Sequence, residues 1–286
     1  MDMQPITVDT ERLTLAGFHN GVTKGRPVIA LHGWLDNAAS FSNICDHLAL
    51  DRPFYAMELP GHGLSDHRPK SCSYQLLENI VDIAALVGAL SPNGEPVTLV
   101  GHSLGGIICS LYCASSPERV DRLVLLDSLG PMTDEVSSVL PQLRKAMRRA
   151  EMFRSSKLVT YPSIEMAAKV RMSGIGKVSV EAAKLLVSRG LKAVEGGYQW
   201  TSDPRLMEPS FLRFSEAQVE AIFGGIECPV CLVCGDAGYY ADYSALQNRL
   251  SYIKTLEKHI VKGGHHFHMD GDVSATVEIM NEFFHA

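Results

Sequence analysis

Residues 101–106, Gly-His-Ser-Leu-Gly-Gly, constrain the fold of this chain more than any other stretch. They follow Glu95-Pro-Val-Thr-Leu-Val100, an apolar run that reads as a buried strand. They precede Ile107-Ile-Cys-Ser-Leu-Tyr-Cys-Ala114, which reads as a buried helix. A Gly-x-Ser-x-Gly sequence on a strand-to-helix turn is a nucleophile elbow. The turn is sharp and the serine backbone is strained. Gly101 and Gly105 stand where a β-carbon would collide across the turn. The Ser103 hydroxyl is thereby presented at the tip, with a new helix N-terminus behind it.

Strands and helices alternate along most of the chain. Residues 5–18 read as a hairpin, and Pro27-Val-Ile-Ala-Leu31 and Phe54-Tyr-Ala-Met-Glu58 as short strands with a helix at 38–49 between them. Residues 74–90 place Leu76, Ile80, Ile83, Val87 and Leu90 on one helical stripe. Strands follow at Leu123-Val-Leu-Leu126, 229–234 and 255–261, with helices near 242–250 and over 272–284. Repeated β-α-β units predict an α/β fold, a mainly parallel sheet covered on both faces.

Residues 130–215 break the alternation, with helices expected at 136–153, 163–172 and 178–189. They read as a helical cap inserted into a core made of 1–129 and 216–286. Arg144, Lys145, Arg148 and Arg149 mark the solvated side of the first cap helix. Six of the 11 methionines fall in this segment: Met132, Met147, Met152, Met166, Met172 and Met207. With Phe153, Trp200, Phe211 and Phe214 they are candidates for an adaptable apolar chamber over Ser103, though packing of the cap on the sheet accounts for many of them individually.

The net charge of −6 over 286 residues leaves no basic surplus for nucleic acid or an anionic membrane. No basic-then-apolar leader opens the chain and no apolar run is long enough to span a bilayer, so a soluble, cytoplasmic protein is expected. The seven cysteines are an odd set and fit a reducing compartment. Cys228, Cys231 and Cys234 resemble metal-ligand spacing, but they lie on a strand, where Cys231 and Cys234 point to opposite faces. Neither a metal nor an organic cofactor is expected.

A serine hydroxyl needs a base to take its proton. The late loop Gly263-Gly-His-His-Phe-His-Met-Asp270 supplies candidates. His265, after the glycine pair, is the expected base and His268 the second choice; a solvent-facing or structural role is the other reading for both His266 and His268. An oxyanion needs backbone donors. Leu104, the residue after the serine, gives one N–H, and Trp34, in the loop after the strand ending at Leu31, gives the other.

His32-Gly33-Trp34, Leu59-Pro-Gly-His-Gly-Leu-Ser65, Gly101-His-Ser-Leu-Gly-Gly106 and Gly264-His265 resemble the α/β-hydrolase superfamily in order and spacing. Leu31-His-Gly-Trp-Leu-Asp-Asn-Ala38, Gly61-His-Gly-Leu-Ser-Asp-His67, Val187-Ser-Arg-Gly190 and Gly238-Tyr-Tyr240 narrow the resemblance to the serine hydrolase-like proteins. The resemblance implies a triad whose acid follows the seventh strand, at a position that holds Gly238 here. Asp236 is displaced from it by two residues. The other location in the superfamily, the end of the sixth strand, holds Asp127, which also fits a cap for the turn into the segment beyond. Asp127 is the expected acid, Asp236 the alternate, and Asp242 a more distant one. The implied activity is cleavage of a small-molecule carboxylic ester through an acyl-enzyme. The same triad also serves acyl transfer or carbon–carbon bond hydrolysis, and the fold can serve as a non-catalytic interaction module.

Overall fold

Apolar runs become strands here because every residue of a doubly covered sheet buries on one face or the other. The computed structural model describes residues 3–153, 158–174, 176–241 and 244–286. Among them are ten strands: β1 (Gln4–Asp9), β2 (Thr14–His19), β3 (Val28–Leu31), β4 (Phe54–Met57), β5 (Val97–His102), β6 (Val120–Leu126), β7 (Leu191–Val194), β8 (Gly197–Trp200), β9 (Val230–Ala237) and β10 (Leu256–Gly264). The helices are α1 (Ser42–Cys45), α2 (Leu76–Leu90), α3 (Leu104–Ser115), α4 (Val139–Phe153), α5 (Ile164–Met172), α6 (Val180–Gly190), α7 (Glu216–Phe223), α8 (Ser244–Leu250), α9 (Phe267–Asp270) and α10 (Val273–His285).

Eight strands form one sheet in the order β1-β2-β4-β3-β5-β6-β9-β10. Only β2 runs against its neighbours. Alternation splits each strand between two layers. Ile29, Leu31, Leu99, Leu123 and Leu125 pack with α2 and α3. Val28, Ala30, Val100, Val124 and Leu126 pack with Phe41, Ile44 and the apolar side of α10. Cys231 and Cys234 fall in different layers, as the strand period requires.

Three local expectations change. The helix read over 38–49 is a 3-10 turn, Ala38–Phe41, followed by the single turn α1. Leu48 and Leu50 are both buried. A helix would set them about 200° apart, so the chain leaves helical geometry to bury both. The helix α7 was not expected, although Ser215 and Gln218 form the capping box that announces it. Residues 130–215 are not purely helical: β7 and β8 pair as an antiparallel hairpin around Gly196, whose φ is +83°.

Within that segment α5 and α6 build a small core of Ala167, Ala182, Ala183, Leu186 and Val187, closed by Met269 of α9. An ion pair fastens α6 to the sheet. Arg189 Nε donates to Oε1 of the fully buried Glu58 at 2.6 Å, and its guanidinium lies 4.1 Å from the Phe18 ring. Arg189→Met leaves that carboxylate buried without its cation and should cost roughly 3–5 kcal/mol in denaturant unfolding. Adding Glu58→Gln should restore part of the loss; a single variant as stable as the parent would show that the pair does not hold the segment.

Candidate active site

The carboxyl ends of β5, β6 and β10 meet at one edge of the sheet, where open α/β sheets place their ligand crevice. Ser103 follows β5 with φ +49° and ψ −115°, outside the ordinary regions for a non-glycine residue. Its N–H donates to Leu126 O at 3.1 Å, and its carbonyl accepts from the Ser128 hydroxyl at 2.7 Å. These bonds tie the elbow to the end of β6. A β-carbon on Gly105 would lie 2.0 Å from Leu31 O, so only glycine lets α3 start this close to β3. The Gly105 N–H donates to His32 O at 3.1 Å, stitching the elbow to the 32–34 loop.

Leu104 opens α3, so its N–H has no partner within the helix. Trp34 sits in the adjacent turn, before Leu35, whose φ is +61°. His62 Nε2 accepts the Leu35 N–H at 3.1 Å, and burial pushes the His62 pKa down to about 3, keeping that nitrogen an acceptor. The Trp34 indole N–H donates to Leu206 O at 3.0 Å, so its ring is anchored to the 130–215 segment.

His265 Nδ1 lies 2.6 Å from Asp127 Oδ2, and both side chains are buried. Asp127 follows β6 with φ +43°, a second backbone outlier one strand from the first. Its Oδ2 also accepts the Tyr239 N–H at 2.9 Å. Gly238 explains how the carboxylate fits: a β-carbon there would lie 2.4 Å from Asp127 Oδ1. The seventh-strand position that holds no acid is thus the space filled by the Asp127 carboxylate. Asp236 points elsewhere, its Oδ1 accepting the Gly263 N–H at 2.8 Å on the exposed side. Asp242 lies outside the described residues.

The other histidines of the loop are interior. His268 is fully buried against Phe41 and His102, and burial holds it well below the ordinary histidine range. His266 is buried as well, with Nε2 3.0 Å from Asp36 Oδ2. Asp36 also accepts from Arg171 of α5 at 2.7 Å. Burial alone would raise the Asp36 pKa, but His266, Arg171 and His102 outweigh it and hold the carboxyl well below the usual range. The sequence reading did not single out this cluster. Its members, Asp36, His102, Arg171 and His266, come from four segments, and no local spacing marks them.

Ser103 and His265 line one cavity of about 470 Å³ with Gly33, Trp34, Ile107, Met132, Tyr239 and Tyr240. The Tyr239 ring stacks on His265 at 4.1 Å. A second cavity of about 420 Å³ shares Trp34 and is lined by Trp200, Tyr161, Val170 and Met207. The methionine expectation therefore needs correcting. Among the described side chains, Met132 is the one methionine that reaches the Ser103 cavity and Met207 the one that reaches the second. Met172 packs within the α5–α6 core, Phe214 packs on the sheet core, and Met147 and Met166 are exposed. Thioethers on outward-facing helix positions bury nothing at the cavity, whatever their spacing in sequence. The side chains of Met152 and Phe153 lie outside the described residues.

Residues 26–160 match the family described as alpha/beta hydrolase fold. "Serine hydrolase-like protein 2" of Homo sapiens is 30% identical over 267 residues, covering 87% of this chain and 84% of that protein. The "Serine hydrolase-like protein" of Danio rerio is 28% identical over 92% of this chain and 82% of its own length. Among solved structures, the hypothetical protein PA1622 of Pseudomonas aeruginosa PAO1 superposes with a TM-score of 0.93 at 36% identity, covering 99% of this chain and 100% of that one. No described helix is long and apolar enough to cross a membrane. The elbow, the sheet order and these relatives agree: the chain belongs to the α/β-hydrolase family, alongside the serine hydrolase-like proteins.

Proposed function

We propose that this chain is a serine hydrolase that cleaves a small-molecule carboxylic ester through an acyl-enzyme on Ser103. One observation carries the reading: a serine on a strained elbow shares a cavity with a histidine whose far nitrogen sits 2.6 Å from a buried carboxylate. Asp127 Oδ2 accepts a hydrogen bond from the His265 Nδ1–H, which leaves the Nε2 lone pair to take the Ser103 proton. Ser103 Oγ attacks the ester carbonyl, and the oxyanion is held by the Leu104 and Trp34 backbone N–H groups. His265 returns the proton to the leaving alcohol. Water then enters by the same route in reverse and releases the acid. Residues 130–215 act as the cap that closes the cavity: Tyr239 carries both the stack on His265 and a hydroxyl that accepts the Gly176 N–H at 2.7 Å.

The testing experiment is intact-mass analysis after exposure to a fluorophosphonate, with p-nitrophenyl ester hydrolysis measured in parallel. A single stoichiometric adduct on Ser103 together with ester turnover is expected. A folded protein that takes no adduct and turns over no ester would be a binding module on this fold. Gly238→Ala probes the acid. Its methyl would push the Asp127 carboxylate aside, and a displacement of this kind costs on the order of 100-fold in kcat. The melting temperature should change little by comparison. Unchanged kcat in this variant would mean that the carboxylate position is not what orients His265.

A further inference from the structure

His102, the second residue of the elbow motif, has no part in the proposed chemistry, yet it is fully buried in the wall of the Ser103 cavity. Its Nε2 lies 2.9 Å from the backbone carbonyl of His265. A carbonyl only accepts, so Nε2 carries the proton and Nδ1 presents a lone pair. Among the described residues, no hydrogen-bond partner reaches that buried nitrogen. It faces another acceptor, Asp36 Oδ2, at 3.8 Å. His266 Nε2 stands 3.0 Å from the same oxygen. One ligand atom from each of the three residues lies within 4.8 Å of the others. Asp36 Oδ2 already has the His266 ring nitrogen, but the buried lone pair on His102 Nδ1 faces it without a donor and calls for a cation or a donor in the gap.

We propose that Asp36 Oδ2, His102 Nδ1 and His266 Nε2 form a binding site for a divalent transition metal of the zinc class, whose occupation closes the Ser103 cavity to substrate.

Ligand atoms around a tetrahedral zinc stand roughly 3.4 Å apart, given bonds of about 2.1 Å. The observed 3.0 and 3.8 Å separations bracket that value. The surroundings also fit. A metal-bound histidine commonly donates its other N–H to a carbonyl, as His102 does to His265, and a ligating carboxylate is commonly bonded through its second oxygen. Here Arg171 Nη2 donates to Asp36 Oδ1 at 2.7 Å and leaves Oδ2 for the ion. Gly33 keeps the approach open, since a β-carbon there would lie 2.8 Å from His102 Nδ1 and 3.0 Å from Asp36 Oδ2. Asp36, His102 and His266 all line the cavity that Ser103 lines, so an ion held by them would share that cavity with substrate. The Arg171 charge, 3.3 Å from His266 Nε2, weakens any cation held here and restricts the site to ions with high imidazole affinity. Zinc and cobalt should bind; magnesium and calcium, which prefer oxygen ligands, should not.

Binding is read apart from activity. Wild-type protein is titrated with Zn2+ by calorimetry and with Co2+ by its visible absorption, and a Zn2+-soaked crystal is measured at the zinc edge. One anomalous peak between Asp36 and His102 is expected. Replacing a direct ligand should cost more than the 10- to 100-fold typical of an outer partner, so His266→Gln should weaken Zn2+ binding about 100-fold or more. Cys231, Glu257 and His259 form the competing group of possible ligands, and His259→Gln should leave the affinity unchanged. A peak at that second group or at His265, or no peak because water fills the gap, overturns the proposal. Because the peak is sought in the wild-type protein, a misfolded variant cannot rescue the idea. The inhibitory part rests on the esterase reading: Zn2+ should suppress ester turnover reversibly, with recovery on chelation. Zinc bound at these residues in a protein without esterase activity would sink that reading and keep the site. Full activity with the site saturated would remove the inhibitory role.

Discussion

Ser103→Ala is expected to lower turnover of a short-chain p-nitrophenyl ester by about a million-fold and to abolish fluorophosphonate labelling. The loss is this large because Ser103, His265 and the acid act as a unit: without the hydroxyl there is no acyl-enzyme, whatever the histidine does. The fold should survive. Ser103 holds its place through its N–H to Leu126 O and its carbonyl to the Ser128 hydroxyl, and alanine keeps both backbone groups. Alanine at φ +49° bears the same strain as serine, so a small stability change is expected beside the loss of turnover. Wild-type rates in the purified, folded variant would refute the nucleophile assignment. His265→Ala should match the loss. His268→Ala should chiefly destabilise, since that ring is fully buried between Phe41 and His102.

Asp127→Asn should lower kcat by about ten-thousand-fold with the fold retained. An asparagine amide turned toward His265 Nδ1 would donate to it and hold the imidazole in the wrong tautomer. Turned the other way, its NH2 would occupy the place of Oδ1, a buried atom with no hydrogen-bond partner among the described residues, hard against Gly238. Either way, the charge that stabilises the imidazolium is gone. Asp236→Asn keeps a carbonyl oxygen to accept the Gly263 N–H and should stay within a few-fold of the parent rate. The reverse ranking, measured on folded proteins, would move the acid to the loop after β9. Small equal losses in both would point to a serine–histidine dyad.

What could be read from sequence divides along a physical line. The elbow, the alternating strands and the glycine-led histidine loop are local. Each is set by what consecutive residues allow: a tight turn that tolerates no β-carbon, or a two-residue period that sorts side chains between layers. The capping box that starts α7 was equally local and equally readable. The acid was only half legible. That a carboxylate stands at the end of β6 is plain in the chain. That it reaches His265 depends on β6 and β9 lying side by side and on Gly238 leaving the carboxylate room.

The sequence by itself determined the sheet, the serine on its strained turn and a short set of aspartates, Asp127, Asp236 and Asp242, as candidates for an acid. Tertiary structure alone decided which aspartate meets His265, which side chains of residues 130–215 reach the cavities, and that Asp36, His102 and His266 converge in the wall of the Ser103 cavity with Arg171 against them. Local geometry is written in neighbouring residues because it is a matter of sterics over a few bonds. Contacts between distant segments follow from strand register and from the volume that other side chains leave free, and no short stretch of sequence carries either.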